Sequence, residues 1–204
     1  MTNIILASQS PRRKNLLQRM NIGDFETIPS GFEENPDHSR DVIDVAKELA
    51  LGKALEIARR FPEDIVIASD TIVTIGNRQL EKPIDIDDAR NMLVNLSRGP
   101  SSVITSVAVV QGQKQLVGTD TTKVYFKLDS PEIQEARELY LATEDWKDKA
   151  GGYGIQSGAA PLIDHIEGDY DTVVGLPTRL LAQMLGEFGI HADAVIEDSP
   201  VPRQ

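Results

Sequence analysis

The sequence predicts an α/β protein: a mixed twisted sheet with flanking helices. Two observations carry this. Apolar strand-like runs alternate with segments of helical spacing along the whole chain of 204 residues. Several of those runs are also joined by short turn signals that suit antiparallel hairpins, so the sheet is mixed rather than all parallel. The length gives room for one large domain or two small lobes around a sizeable core. No internal repeat or low-complexity segment is evident.

Taken in order, Ile4-Ile5-Leu6-Ala7 is a short apolar run that reads as a buried strand. Ser10 is a good N-cap and Pro11 suits the first helical position, so a helix is expected from about Pro11 to Met20, with Leu16, Leu17 and Met20 on one face. Pro29 to Pro36 is a loop. From about Asp41 to Arg60, Val42, Val45, Ala46, Leu49, Ala50, Ala54 and Ile57 recur at helical spacing. "DIVIASDTIVTI" is a strand that Gly76-Asn77 turns into a short hairpin partner. "DIDDARNMLVNLS" is a helix with acidic residues in its first turn, as the helix dipole prefers.

"SSVITSVAVVQ", a Gly112-Gln113 turn and "KQLVGTDTTKVYFKL" form an antiparallel pair. Ser130-Pro131 opens a helix to about Ala142, and "DKAGGYGIQSGAA" is a glycine-rich loop. "PLIDHI" and "YDTVVG" flank Glu167-Gly168-Asp169, a hairpin signal. Pro177 to Phe188 is the last helix, and the stretch from about His191, with Pro200 and Pro202, lacks periodicity and is expected to be a mobile tail.

Composition narrows the function classes. Hydrophobic residues make up 40% and charged residues 26%, ordinary for a soluble globular protein. No apolar run approaches the ~20 residues a membrane span needs, and no secretory signal pattern follows Met1. Cysteine is absent, which excludes disulfides, thiolate metal sites and a cysteine nucleophile and is compatible with the cytoplasm. The net charge of −11 disfavours nucleic acid and anionic membranes as partners. Affinity for phosphate would have to come from a small, focused site.

The opening stretch, "NIILASQSPRRKNLL", offers one. Strand, tight turn and helix N-terminus favour an anion. Ser8 and Ser10 add hydroxyls, and Arg12 and Arg13 add donors in a fork suited to phosphate oxygens. A capped helix with solvated arginines is the bland alternative. Asp70 interrupts "IVIASDTIVTI", where burying an unpartnered carboxylate is costly. It either faces a cleft, on a metal or hydrogen-bonded, or lies on an edge strand facing water.

Lys53 breaks the apolar face of Ala46, Leu49, Ala50 and Ile57; it either snorkels to solvent or reaches a polar cleft. Lys82, before Pro83, reads in isolation as a surface lysine. Glu33-Glu34 follow Gly31-Phe32 in a loop; they are either solvated or Glu34, with Asp70, supplies the one or two carboxylates that Mg²⁺ takes beside phosphate oxygens. The "DKAGGYGIQSG" loop holds Asp148, Lys149, Tyr153 and Gln156, but it matches neither a P-loop nor a dinucleotide fingerprint, and a flexible surface loop is the alternative. His38, His165 and His191 are widely spaced and receive no role.

Together the segments "LASQSPRR", "GFEENP", "LALGKALEIA", "VIASDTIV", "LEKPIDIDDARNML", "LSRGPSSVITSVAV", "DKAGGYGIQ" and "GDYDTVVGLP" resemble, in order from about Ile4 to Leu185, the Maf family of nucleoside triphosphate pyrophosphatases. The resemblance implies an inosine triphosphate pyrophosphatase-like fold of two lobes around a deep cleft. It places one such catalytic domain over residues 1–190, with 191–204 as the tail. It further implies hydrolysis of a nucleoside triphosphate to the monophosphate and pyrophosphate, with Mg²⁺ or Mn²⁺, in nucleotide-pool housecleaning.

Arg12, Thr71 and Gln156 look like the specificity residues of the subgroup acting on dTTP and UTP. In that scheme Ser8, Arg13, Lys53, Lys82 and Lys149 bind the substrate, with Lys82 and Glu34 also counted as catalytic. Glu34 and Asp70 hold the metal, and Asp70 is the proton acceptor. A homodimer is implied by analogy. "GAAPLIDHI" departs from the family pattern at Ala160-Pro161. Two other readings stand beside this one: a nucleotide-binding regulator of septum formation with little catalysis, and a phosphomonoesterase releasing orthophosphate.

Overall fold

The computed structural model describes residues 2–37, 39–195 and 200–202; His38 and the tail positions 196–199 and 203–204 lie outside the described residues. Among the described residues seven strands form one sheet: β1 (Ile4–Leu6), β2 (Glu26–Thr27), β3 (Ile65–Ile75), β4 (Arg78–Leu80), β5 (Ser101–Gln111), β6 (Lys114–Phe126) and β7 (Ile163–Glu167). Their order is β2-β1-β3-β5-β6-β7, with β4 paired to β3. β1 runs parallel to both β2 and β3, whereas β3–β4 and β6–β7 are antiparallel, so the sheet is mixed as expected.

Among the described residues six α-helices accompany it: α1 (Pro11–Gln18), α2 (Val42–Ala58), α3 (Ile86–Leu96), α4 (Pro131–Ala142), α5 (Tyr170–Val174) and α6 (Thr178–Gly186). Side-chain caps start four of them where the sequence places them. Ser10 accepts from Arg13 N, Asp41 from Ile43 N, Asp85 from Asp88 N and Ser130 from Ile133 N.

The chain divides into two compact units. The first comprises the chain through Thr71, Ile104–Asp120 and the segment from Gly175; the second is built chiefly of Ile72–Val103 and Thr121–Val174. In the first unit Ala50, Ala54, Ile57 and Ala58 of α2 pack on Ile5, Ala7, Val66, Ala68, Ala108 and Val110 of the sheet. Small residues on both sides bring the helix close to the strands. In the second, Tyr153 meets Phe126 edge-on with ring centroids 5.0 Å apart, and Arg90 of α3 makes a two-pronged bond to Glu138 of α4 at 2.8 and 3.0 Å.

Some segments differ from the sequence expectation. "YDTVVG" is helix α5, not the second arm of a hairpin. Its buried residues Tyr170, Asp171, Thr172 and Val174 do not alternate as one strand face requires. The entry to α5 is also clamped by Thr122 Oγ1, which donates to the Asp169 carbonyl at 2.9 Å. Here tertiary contacts override the strand propensity of Thr172, Val173 and Val174.

The glycine-rich loop is pinned rather than loose. Gly151 N donates to the Glu81 carbonyl at 3.0 Å and Gly154 N to Tyr140 Oη at 3.1 Å, with Tyr153 and Ile155 buried beneath. The described tail residues make specific contacts too. Asp193 N donates to Met20 O at 2.9 Å, Val195 N to Thr178 Oγ1 at 2.9 Å and Ile166 N to Pro202 O at 2.9 Å, while Val201 is buried. Among the described residues no helix is long and apolar enough to cross a membrane.

Candidate active site

The first unit gathers the residues of three distant segments around β3. Asp70 is buried, and its Oδ1 accepts from Lys53 Nζ at 2.6 Å. Lys53 also reaches Glu34 Oε1 at 2.8 Å, so one ammonium lies between two carboxylates. The alternation of β3 explains the placement: Asp70 shares the face of Ala68, which α2 covers, and Lys53 is the polar position on that helix face. The sequence left Lys53 between a snorkelling stem and a polar cleft; in the structure its ammonium pairs with Asp70 and Glu34.

Ser69 and Thr71 point to the opposite face, where Arg13 meets them. Arg13 Nη1 donates to the Ser69 carbonyl at 2.7 Å, Nη2 to Thr71 Oγ1 at 3.0 Å and Nε to the Gly175 carbonyl at 2.9 Å. Thr71 Oγ1 lies 3.1 Å from Thr105 Oγ1, and Ser69 Oγ donates to Gly175 O at 2.8 Å. Burial lowers the affinity of the Arg13 guanidinium for its proton, and the nearby Asp70 carboxylate opposes that shift.

Much of the Arg13 fork, expected for phosphate, is therefore spent on holding β3. Thr71 likewise serves this network. Gly175 is required here: it sits at φ +113°, and a Cβ would come within 3.2 Å of both Arg13 Nε and Thr71 Oγ1.

Ser8 is buried at the end of β1, where its hydroxyl oxygen accepts from Ser10 N at 3.1 Å, leaving the proton free to donate. Arg12 is half-buried one position before Arg13 and opposes its charge. Ser8, Arg12, Arg13, Glu34, Lys53, Asp70 and Thr71 thus all belong to the first unit.

Lys82, Lys149 and Gln156 belong to the second. Lys82 is exposed in the turn between β4 and α3. Lys149 folds back on its own loop, where Nζ donates to the Asp145 carbonyl and to Asp148 Oδ1 at 2.6 Å. Gln156 is exposed between Ile155 and Ser157.

Ser69, Thr105 and Gly175 were not singled out from sequence. A lone glycine between the buried Val174 and Leu176 was the available signal for Gly175. The hydroxyls carried none, since Ser and Thr are unremarkable in a strand.

Among the described residues no group of three or more His, Cys, Asp and Glu is placed to hold a metal ion. The acidic pair Glu34 and Asp70 nonetheless already converges on one cation, the Lys53 ammonium. Two carboxylates are the donor set a hard divalent ion takes when phosphate oxygens complete its shell, so these residues fit such an ion.

A protein called dTTP/UTP pyrophosphatase from Pyrococcus furiosus is 42% identical over 187 residues, covering 91% of this chain and 95% of its own length. One of the same name from Shouchella clausii is 40% identical over 191 residues, covering 94% and 98%. Among solved structures, the Staphylococcus aureus Ham1 protein aligns with a TM-score of 0.49 at 10% identity, over 91% of this chain and 100% of that one. The family profile described as Maf-like protein matches residues 3–188. By that match and these identities, the chain belongs to the Maf-like protein family.

Proposed function

We propose that this chain is a nucleoside triphosphate pyrophosphatase that hydrolyses dTTP and UTP, with modified pyrimidine triphosphates as further candidates, to the monophosphate and pyrophosphate. The observation that carries the reading is the Lys53 ammonium held at 2.6 Å from Asp70 and 2.8 Å from Glu34. It is a concentrated set of alternating charges in a chain whose relatives bear that activity in their names. In this proposal Glu34 and Asp70 hold Mg²⁺ or Mn²⁺. When bound, the ion would lower the pKa of water and draw charge from the phosphate oxygens.

Asp70 accepts the proton of the water that attacks the α-phosphorus. The bond that breaks is the one to the oxygen bridging the α- and β-phosphorus, and pyrophosphate departs with its electron pair. Ser8 donates its hydroxyl to a phosphate oxygen, and Lys53 and the remaining N–H groups of Arg13 add positive charge beside the leaving group. Arg13 and Thr71 keep β3 in register on both sides of the base, a more structural role than the resemblance implied. Roles for Arg12 in specificity, for Lys82 and Lys149 on phosphate and for Gln156 on the O4 and N3–H of the base rest on the resemblance, as does a homodimer, while a cytoplasmic setting rests on the absence of cysteine.

A panel of nucleoside triphosphates, assayed with Mg²⁺ and with Mn²⁺, tests the reading. Pyrophosphate from dTTP and UTP, dependent on added metal, is the expected outcome. Release of orthophosphate instead, or nucleotide binding with no hydrolysis, would overturn it; the second result is what the regulator reading requires. A purine preference would remove the specificity and leave the reaction class.

A further inference from the structure

Glycine in the middle of a helix weakens it relative to alanine, because the backbone loses more freedom on folding. Gly52 nevertheless sits within α2, among Leu51, Lys53 and Ala54. A Cβ at that position would lie 2.4 Å from Cζ, 2.6 Å from Cε2 and 2.8 Å from Cε1 of Phe32. The aromatic ring therefore rests directly on the helix backbone, in space that only glycine leaves open.

One further bond ties the same loop to α2, and a second braces the loop internally. Gly31 N donates to Glu56 Oε2 at 3.1 Å, and Phe32 N donates to Ser30 Oγ at 3.0 Å. Glu34, two residues beyond Phe32, then meets Lys53, the residue after Gly52. Among the described residues no helix or strand lies between β2 and α2 to position Glu34, so its place depends on what this loop touches.

We propose that the Phe32–Gly52 contact is a positioning device for Glu34, on the reading above that this carboxylate helps hold the divalent ion. The ring acts as a peg and the glycine as its seat. Neither residue touches substrate, and the contact acts by limiting where the Glu34 carboxylate goes. A helix interior that would gain stability from alanine has given it up for the approach of a loop, as binding sites do.

The test is Mn²⁺ binding, followed by electron paramagnetic resonance of the free ion with an α,β-imido analogue of dTTP present, for wild type, Gly52→Ala and the double variant Gly52→Ala/Phe32→Leu. Gly52→Ala is expected to weaken Mn²⁺ binding about tenfold, in the range seen when supports of metal ligands are removed, with a thermal midpoint at or above that of wild type. The double variant, whose smaller side chain clears the added methyl, is expected to recover most of the lost affinity. Wild-type Mn²⁺ affinity in Gly52→Ala overturns the proposal. Should Gly52→Ala unfold, Phe32→Ala leaves α2 intact, and unchanged Mn²⁺ binding there overturns it equally. Failure of the wild-type protein to bind Mn²⁺ at all is a different result: it removes the metal role of Glu34 and the device with it.

Discussion

Arg13 brackets Asp70 without touching it: the guanidinium donates to the carbonyl of Ser69 at 2.7 Å and to the hydroxyl of Thr71 at 3.0 Å, the residues on either side of the carboxylate. The Asp70 and Thr71 side chains point to opposite faces of β3. The arginine thus sets the strand that carries the acid, while Lys53 sets the acid itself.

Replacing Asp70 with Asn removes the proton acceptor and half of the acidic pair. Turnover on dTTP should fall by roughly 10²–10⁴, with the far-ultraviolet circular dichroism unchanged, because Lys53 keeps Glu34 as a partner. Turnover equal to wild type would remove Asp70 from the chemistry.

Arg13→Lys should lower both stability and turnover. A single ammonium cannot span the Gly175, Ser69 and Thr71 acceptors that the fork reaches together. Loss of charge-assisted bonds of this kind costs about 2 kcal/mol or more, readable as a shift in the urea midpoint. A variant with lower activity and unaltered stability would instead make Arg13 chiefly a phosphate ligand.

Gly175→Ala places a β-carbon in the left-handed region and against the Arg13 and Thr71 groups. Strain of this sort costs about 1–3 kcal/mol, and the displaced guanidinium should carry a fall in turnover with it. Thermal unfolding and steady-state kinetics on one preparation check both parts.

Gln156→Leu separates recognition from folding. The side chain is exposed, so stability should hold to within about 0.5 kcal/mol. KM for UTP should rise and discrimination against CTP should shrink. An unchanged ratio of kcat/KM for UTP and CTP would take Gln156 out of base recognition.

Asp129 supplies a pH signature. Bonds from Gln134 first and then Arg137 hold its carboxyl below the usual range. A carboxyl depressed in the folded state contributes stability that is complete above its unfolded pKa and is lost as pH falls through the folded one. Arg137 is buried, so Asp129→Asn leaves a guanidinium without its ionic partner. The variant should therefore melt below wild type near neutral pH, and the gap should narrow steadily below about pH 4. A gap independent of pH would mean that the charge of Asp129 contributes nothing.

Most of the fold was legible because its signals are local. Ser10, Asp41, Asp85 and Ser130 cap the helices they precede, and two-residue turns at Gly76-Asn77 and Gly112-Gln113 sit between strands. β2 escaped notice because two exposed residues, Glu26 and Thr27, carry no pattern and pair only because β1 lies beside them. α5 was misread for the converse reason: its β-branched residues favour a strand by themselves, and the clamp from Thr122 lies nearly fifty positions away, between residues 122 and 169.

The site divides in the same way. Lys53 and Asp70 could be picked out as charges in apolar surroundings, since burying a charge without a partner is costly enough to advertise that a partner exists. Which partner each one takes could not be read from spacing. Lys53 choosing both carboxylates, Arg13 turning inward to Gly175 and Ser69, and Phe32 resting on Gly52 are contacts between segments that only folding brings together. By itself the sequence determined the elements, the residue types at the site and the charge that repels other polyanions. Tertiary structure decided which donors are used up inside the protein and which are left to meet a ligand, because hydrogen-bond geometry depends on distances of a few tenths of an ångström that no linear spacing encodes.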